Sequence, residues 1–215
     1  MAVWIIICMI IGYFFGTFPT GLLIGKAMDV DIRKSGSGNI GSTNALRVLG
    51  AKPGAMTLIG DMIKCALAFL LCYLCFKNHF IDAYGDTKFM ALTVGLGATL
   101  GHNFPFFLKF KGGKGVACLA ATALLFDWRL FILGIVTFTV ITLTTKYVSV
   151  ASMCCGIGFS IWVVVCTTEP KVLSYIFTLC FLSLNILRHI PNIKRLINHN
   201  ENKVSIGKKK KQSAE

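Results

Sequence analysis

Between residues 3 and 187 the chain is a succession of long apolar runs separated by short polar breaks, and this alternation restricts the fold more than anything else in it. Inside hydrocarbon each backbone N–H and C=O must be satisfied by the chain itself, so an apolar run that crosses a bilayer does so as a helix. Seven runs qualify as candidate spans: 3–24, 54–76, 89–107, 116–126, 130–145, 148–167 and 172–187. Only 14% of the 215 residues are charged and 55% are hydrophobic, whereas a soluble domain carries about a quarter charged residues. The expected fold is therefore an all-α polytopic membrane protein with about seven transmembrane helices. A straight crossing takes about 20 residues; 116–126 falls well short and reads as a short or re-entrant segment.

The charge is lopsided. There are 22 Lys and Arg against 9 Asp and Glu. With seven spans, alternate connections share a side, and one side then holds 17 of the basic residues: those in 26–52, 109–114, Lys146 and everything from Arg188 onward. The other side holds Lys77, Lys88, Arg129 and Lys171, and Lys64 lies within a span. Basic residues accumulate on the cytoplasmic side, so the N-terminus is expected outside, the C-terminus inside, and the polar motifs on the cytoplasmic face. Nucleic acid is not an expected partner, because no soluble domain remains to bind it. The run Lys208–Lys211 reads as a solvated tail drawn to anionic lipid. Residues 1–15 have no basic start and no small-residue cleavage site, so the first helix is expected to be retained. Most of the nine cysteines sit in apolar runs and read as small hydrophobes. Cys72 and Cys75 have CxxC spacing without further ligands nearby, and no metal is expected.

Three motifs interrupt the apolar pattern. The central one, residues 101–117, places His102 at the end of an apolar run and then Lys109, Lys111 and Lys114, with Gly112, Gly113 and Gly115 around the last lysine. Phosphate oxygens suit such a loop, which offers cations and unobstructed backbone N–H groups. It is no Walker A motif, since Gly115 follows Lys114 where a magnesium-binding Ser or Thr would stand. Lys111 and Lys114 are the expected phosphate clamps, and His102 reads first as an interfacial anchor.

The second motif is Ser35-Gly36-Ser37-Gly38-Asn39-Ile40-Gly41-Ser42-Thr43-Asn44, followed by Arg47. It matches GxGxxG, but an apolar span precedes it where a dinucleotide fold needs a strand. Its glycines permit a nest of N–H groups, and its Ser, Thr and Asn residues suit the start of a short helix able to hold an anion. The third motif carries Asn185, Arg188, His189, Asn192, Arg195 and Glu201 at the end of the last span. His189 can accept a proton near neutrality. Arg188 and Arg195 can bind phosphate through two N–H groups, or simply mark a basic membrane end. Asp61 and Lys64 stand three apart within a span, either as a functional pair or as a salt bridge holding the loops. Ser149, at another cytoplasmic helix start, is expected to line the same cavity.

Together these motifs resemble the acyl-phosphate:glycerol-3-phosphate acyltransferases, the PlsY family of bacterial membranes. The resemblance covers nearly the whole chain and rests on residues 37–44, on residues 101–117, and on His189 with Asn192, Arg195 and Glu201. Two positions depart from the pattern: Cys65 follows Lys64 where the family tends to have Gly, and His199 stands where a Gly is expected before Glu201. The resemblance implies transfer of a fatty acyl group from acyl phosphate to the 1-hydroxyl of sn-glycerol 3-phosphate, the first step of phospholipid synthesis. The products are 1-acylglycerol 3-phosphate and inorganic phosphate. It implies no cofactor, a bacterial cytoplasmic membrane location, and contact with the enzyme that makes acyl phosphate. The His-x4-Asp motif of soluble-type acyltransferases is missing, for Tyr84, Phe107, Lys194 and Val204 stand five after the histidines.

On this reading His189, Lys111, Asn185 and Ser149 are the reacting set. Ser35, Ser37, Gly38, Asn39, Thr43, Asn44, Arg47, Gly112, Gly113, Lys114, Gly115, Asn192 and Arg195 bind the phosphates. Asp61, Lys64, His102, Arg188 and Glu201 support them. Residues 1–190 form one transmembrane catalytic domain and 191–215 a basic cytoplasmic tail. A small transporter of a phosphorylated solute is the competing reading, since polytopic chains with buried charge commonly transport. The chain has no repeated halves, and its motifs crowd one face instead of the midplane.

Overall fold

The computed structural model describes residues 1–168 and 170–204, so Glu169 and the Lys208–Lys211 run lie outside the described residues. Among the described residues nine α-helices follow one another: α1 Ala2–Gly16, α2 Thr20–Lys26, α3 Ser42–Leu49, α4 Ala51–Tyr84, α5 Lys88–Asn103, α6 Val116–Phe126, α7 Trp128–Thr145, α8 Val148–Cys166 and α9 Lys171–Ile197. Five stretches among the described residues are long and apolar enough to cross a membrane: Ala2–Lys26, Ala51–Tyr84, Trp128–Thr145, Val148–Cys166 and Lys171–Ile197. The 16 residues of α5 and the 11 of α6 are shorter.

The axis of the bundle is α5. Nearly every one of its side chains is buried, and it packs against α1, α4, α6 and α9. Its contact with α1 is made by two GxxxG patterns, Gly12 and Gly16 on one helix and Gly97 and Gly101 on the other. A Cβ at Gly97 would collide with the Met9 carbonyl, and one at Gly12 with that of Val94. In lipid, helices associate by close backbone packing, and small residues four apart permit it. Around α5, α4 and α7 both pack on α6, and α7 packs on α8, which packs on α9.

Three boundaries differ from the sequence reading. The first run is not one helix: it breaks at Thr17–Pro19 between α1 and α2, because proline lacks an N–H and disfavours helix in the residue before it. The polar loop expected from Lys77 is helical up to Tyr84, where Gly85 at φ 79° ends it. Phe80, one turn after Phe76, is wholly buried and carries the packed stripe onward. Finally, α9 does not stop at Leu187 but runs through Pro191 to Ile197, past residue 191 where the tail was expected to begin.

Candidate active site

One cavity of about 650 Å³ connects all three motifs. Its polar end is lined by Ser37, Asn39, Thr43, Asn44 and Arg47, by Lys114 and Gly115, and by Ser149, His189, Asn192, Arg195 and Glu201. Its other end is apolar and lies among α6, α7 and α8. A smaller cavity of about 160 Å³ adjoins the polar end and shares Ser37, Asn39, Lys114, Asn192 and Arg195 with it, adding Arg188.

The second motif folds around one side chain. The Asn44 amide, 2% exposed, accepts from the Ser37 N–H at 2.7 Å and donates to the carbonyls of Ile32 at 2.8 Å and Ser35 at 3.2 Å. Those bonds use its polar atoms on the loop, so Asn44 shapes the site more than it offers groups to a ligand. Ser35 and Gly38 are exposed and do not line the cavity. The loop delivers the start of α3, where Gly41 caps without a side-chain bond. The start of α6 is likewise uncapped: Gly115, at φ 78°, precedes it. A Cβ there would press on Thr99 and Asn103, so the position needs glycine on both counts. The first N–H groups of a helix have no partner in the helix, and both starts meet the cavity through Thr43, Gly115, Val116 and Ala117. Two helix N-termini converging there favour an anion.

The central loop is tied down differently from expectation. Gly112 N–H donates to the Asn103 carbonyl at 3.1 Å and Gly113 N–H to that of His102 at 2.9 Å, so neither N–H is free for phosphate. Their own carbonyls accept from Arg188, Nη2 to Gly112 at 2.7 Å and Nε to Gly113 at 2.9 Å. The fork of a guanidinium fits two successive carbonyls, and Arg188 spends two of its five N–H groups holding the loop. It also lies over the Phe104 ring. Lys111 is exposed and lines neither cavity, whereas Lys114 lines both. Lys114 donates to Asn192 Oδ1 at 2.6 Å. Burial pulls its ammonium down to about 8; Glu201 opposes that, while Arg195, Arg47 and Arg188 add to it.

On α9, Asn192 and Arg195 both reach the Glu201 carboxylate, at 2.7 Å each, and Ser149 donates to it at 3.0 Å. Burial pushes the Glu201 carboxyl up, but the Asn192, Arg195 and Ser149 hydrogen bonds and the Arg195 charge outweigh it and leave it below the ordinary carboxylate range. His189, 1% exposed, is 2.8 Å from the Asn185 carbonyl through Nδ1. A carbonyl only accepts, so Nδ1 carries the proton and Nε2 keeps its lone pair. Asn185 itself does not line the cavity; its amide donates to the Ser152 carbonyl at 3.3 Å and joins α9 to α8.

Asp61, Lys64 and His102 form a buried cluster, each at most 5% exposed, and Asp61 and His102 also line the larger cavity. The Lys64 ammonium has three hydrogens and three acceptors: Asp61 Oδ1 at 2.8 Å, the Phe18 carbonyl at 2.8 Å and His102 Nδ1 at 2.9 Å. Thr20 donates to Asp61 at 3.0 Å. The helix break at Pro19 turns the Phe18 carbonyl out of the helix ladder, and it accepts from Lys64 and from the Thr20 N–H at 3.1 Å. Sequence reading passed over Thr20 and Phe18, though Pro19 inside an apolar run was the signal. Among the described residues no three His, Cys, Asp or Glu side chains gather closely enough to hold a metal ion.

The glycerol-3-phosphate acyltransferase family model matches residues 6–199. The chain belongs to the glycerol-3-phosphate acyltransferase family. It is therefore an integral membrane enzyme of that activity. The family member of Bacillus subtilis is 40% identical over 201 residues, covering 93% of this chain and 97% of its own. That of Thermosipho melanesiensis is 43% identical over 203 residues, covering 91% and 90%. The crystal structure of PlsY in its glycerol 3-phosphate form superposes with a TM-score of 0.80 at 30% identity, covering 94% of this chain and 96% of that one. The same protein in its lysophosphatidic acid form gives 0.78 at 29% identity, covering 94% and 95%. The enzyme's polar motifs thus sit within an architecture shared with these acyltransferases over nearly its whole length.

Proposed function

We propose that the enzyme transfers a fatty acyl group from acyl phosphate to the 1-hydroxyl of sn-glycerol 3-phosphate. The observation that carries this reading is the joining of a cationic, polar compartment to an apolar one in a single cavity, with a second polar compartment against the first. The reaction brings two phosphates and one acyl chain together, and those three spaces suit them. The 1-hydroxyl oxygen attacks the acyl carbon, the carbon–oxygen bond to phosphate breaks, and inorganic phosphate leaves. Acyl phosphate is already activated, so positioning and stabilisation of the developing negative charge supply most of the acceleration.

Lys114, flanked by Asn192 and Arg195, lies on the wall between the two polar compartments and serves both phosphates. Arg47, Ser37, Asn39 and Thr43, with the α3 start, hold one of them. His189 Nε2 takes the hydroxyl proton. Ser149 and Glu201 position Asn192 and Arg195, and Arg188 with the Asp61–Lys64–His102 cluster holds the loops that carry Lys114. The product is 1-acyl-sn-glycerol 3-phosphate. The positive-inside count puts the N-terminus outside and this site on the cytoplasmic face of a bacterial cytoplasmic membrane, within reach of a cytoplasmic source of acyl phosphate.

The test uses purified protein in detergent with palmitoyl phosphate and glycerol 3-phosphate, following phosphate release, with palmitoyl-CoA as control donor. Release that needs both substrates, with a lysophosphatidate product and none from the CoA ester, is the expected result. Transfer from the CoA ester alone would refute the donor assignment. Near wild-type turnover by His189→Ala would move the proton from His189 to a substrate phosphate.

A further inference from the structure

Resting on that acyl-transfer reading, we infer that Gly134 determines which acyl chains the enzyme accepts. The apolar end of the cavity lies among α6, α7 and α8, and α7 contributes a stripe at helical spacing: Leu130, Gly134, Phe138 and Thr142. Gly134 is midway along it. An added Cβ at Gly12, Gly95, Gly97 or Gly101 meets a neighbouring helix, whereas one at Gly134 meets no atom within 4 Å. The missing side chain serves no helix contact. What it leaves open is the cavity.

Beyond Gly134 the space is closed. Leu130 and Phe159 are 3% and 2% exposed, and the Phe159 ring is backed by Phe181 on α9 at 5.2 Å. Cys155 Sγ donates to the Gly134 carbonyl at 3.5 Å, which puts Phe159, one turn further along α8, at the closed end. At 1.5 Å per residue, the twelve residues from Thr142 to Leu130 span about 18 Å and the eight from Thr142 to Gly134 about 12 Å. A zigzag of carbon–carbon bonds of about 1.5 Å advances about 1.25 Å per carbon. Counted from Thr142, the full length therefore takes about fourteen carbons and the part before Gly134 about ten; with its first carbons at the head group, a sixteen-carbon chain needs the full length and a ten-carbon chain stops short of Gly134. A side chain at 134 shortens the space at that point, and a longer chain can then no longer seat its head group beside Lys114.

The experiment compares kcat/KM for hexadecanoyl and decanoyl phosphate in the unaltered enzyme, Gly134→Ala and Gly134→Leu. Gly158→Leu is the control, because Gly158 also has open space around its absent Cβ but does not line the cavity. The C16 to C10 ratio should fall about tenfold or more in Gly134→Leu, less in Gly134→Ala, and stay unchanged in Gly158→Leu. Helix interiors favour Ala and Leu over Gly, so folding is not the expected casualty, and the alanine variant carries the test where leucine does not fold. A ratio within twofold of the unaltered enzyme in both Gly134 variants would overturn the inference. If the unaltered enzyme transferred neither chain, the acyl-phosphate reading would fail instead. The shift in Tm with hexadecyl against decyl lysophosphatidate would then decide the Gly134 inference, requiring loss of the longer-chain shift in Gly134→Leu.

Discussion

Raising the pH through 8 should remove one charge from the reaction site. Lys114 is the group concerned, held at about 8 against an ordinary 10.5, chiefly by burial. A phosphate dianion bound by Lys114 needs the ammonium form. The free enzyme then has about nine-tenths of its Lys114 charged at pH 7 and about one-tenth at pH 9, so kcat/KM for glycerol 3-phosphate should fall about tenfold across that interval. An acid limb near pH 6 is expected from the second ionisation of the substrate phosphate. The assay is initial phosphate release with saturating palmitoyl phosphate at constant ionic strength from pH 5.5 to 10. Lys114→Arg keeps its charge throughout and should lose the alkaline limb, whatever its absolute rate. The sign of the stability effect separates this from unfolding. Between pH 8 and 10.5 the unfolded chain binds more protons at this position than the folded one, so folding becomes more favourable as pH rises, by up to about 3 kcal/mol. Activity and this contribution to stability therefore move in opposite directions. A profile flat from pH 7 to 9.5, or an alkaline limb unchanged in Lys114→Arg, would refute the assignment.

The Asp61–Lys64 pair makes a separate prediction. Removing one partner leaves the other buried and unpaired, so Asp61→Leu and Lys64→Met should each cost about 3–5 kcal/mol, whereas the double variant should cost less than either. Thermal unfolding in detergent reads this, and additive losses would remove the coupling. Arg188→Lys keeps the charge but cannot span the Gly112 and Gly113 carbonyls, each bond to a charged donor contributing about 1.5–3 kcal/mol. It should depress kcat/KM for both substrates while leaving the alkaline midpoint near 8. A loss confined to one substrate would mean that Arg188 binds phosphate directly.

The membrane architecture was legible because lipid imposes a simple rule on the backbone, and the apolar runs obey it. Residue type at a boundary was less informative. Lys77 looked like the start of a loop, yet Phe80 keeps α4 packed for two more turns. The last span was expected to end at Leu187, yet α9 continues to Ile197 and puts Asn192 and Arg195 against Lys114 and Glu201. Pro19 stood inside a run read as a single span, 3–24, and its consequence was hidden: a Phe18 carbonyl turned out of the helix ladder, which accepts from the Thr20 N–H and from a lysine 46 residues away.

Within the site, composition identified the loops but not which group in each faces inward. Lys111 and Lys114 are equivalent on paper; the tethering of Gly112 and Gly113 to α5 and to Arg188 leaves the first exposed and the second on the cavity wall. Arg188 and Arg195 are equally alike, yet one grips backbone carbonyls and the other a carboxylate. The general reason is that a polar loop must satisfy its own backbone before it can serve a ligand. In this enzyme the residues that meet that internal demand, Asn44, Arg188 and Lys64, are of the same chemical types as those left over for phosphate. A sequence lists both kinds together, and only the hydrogen bonds separate them.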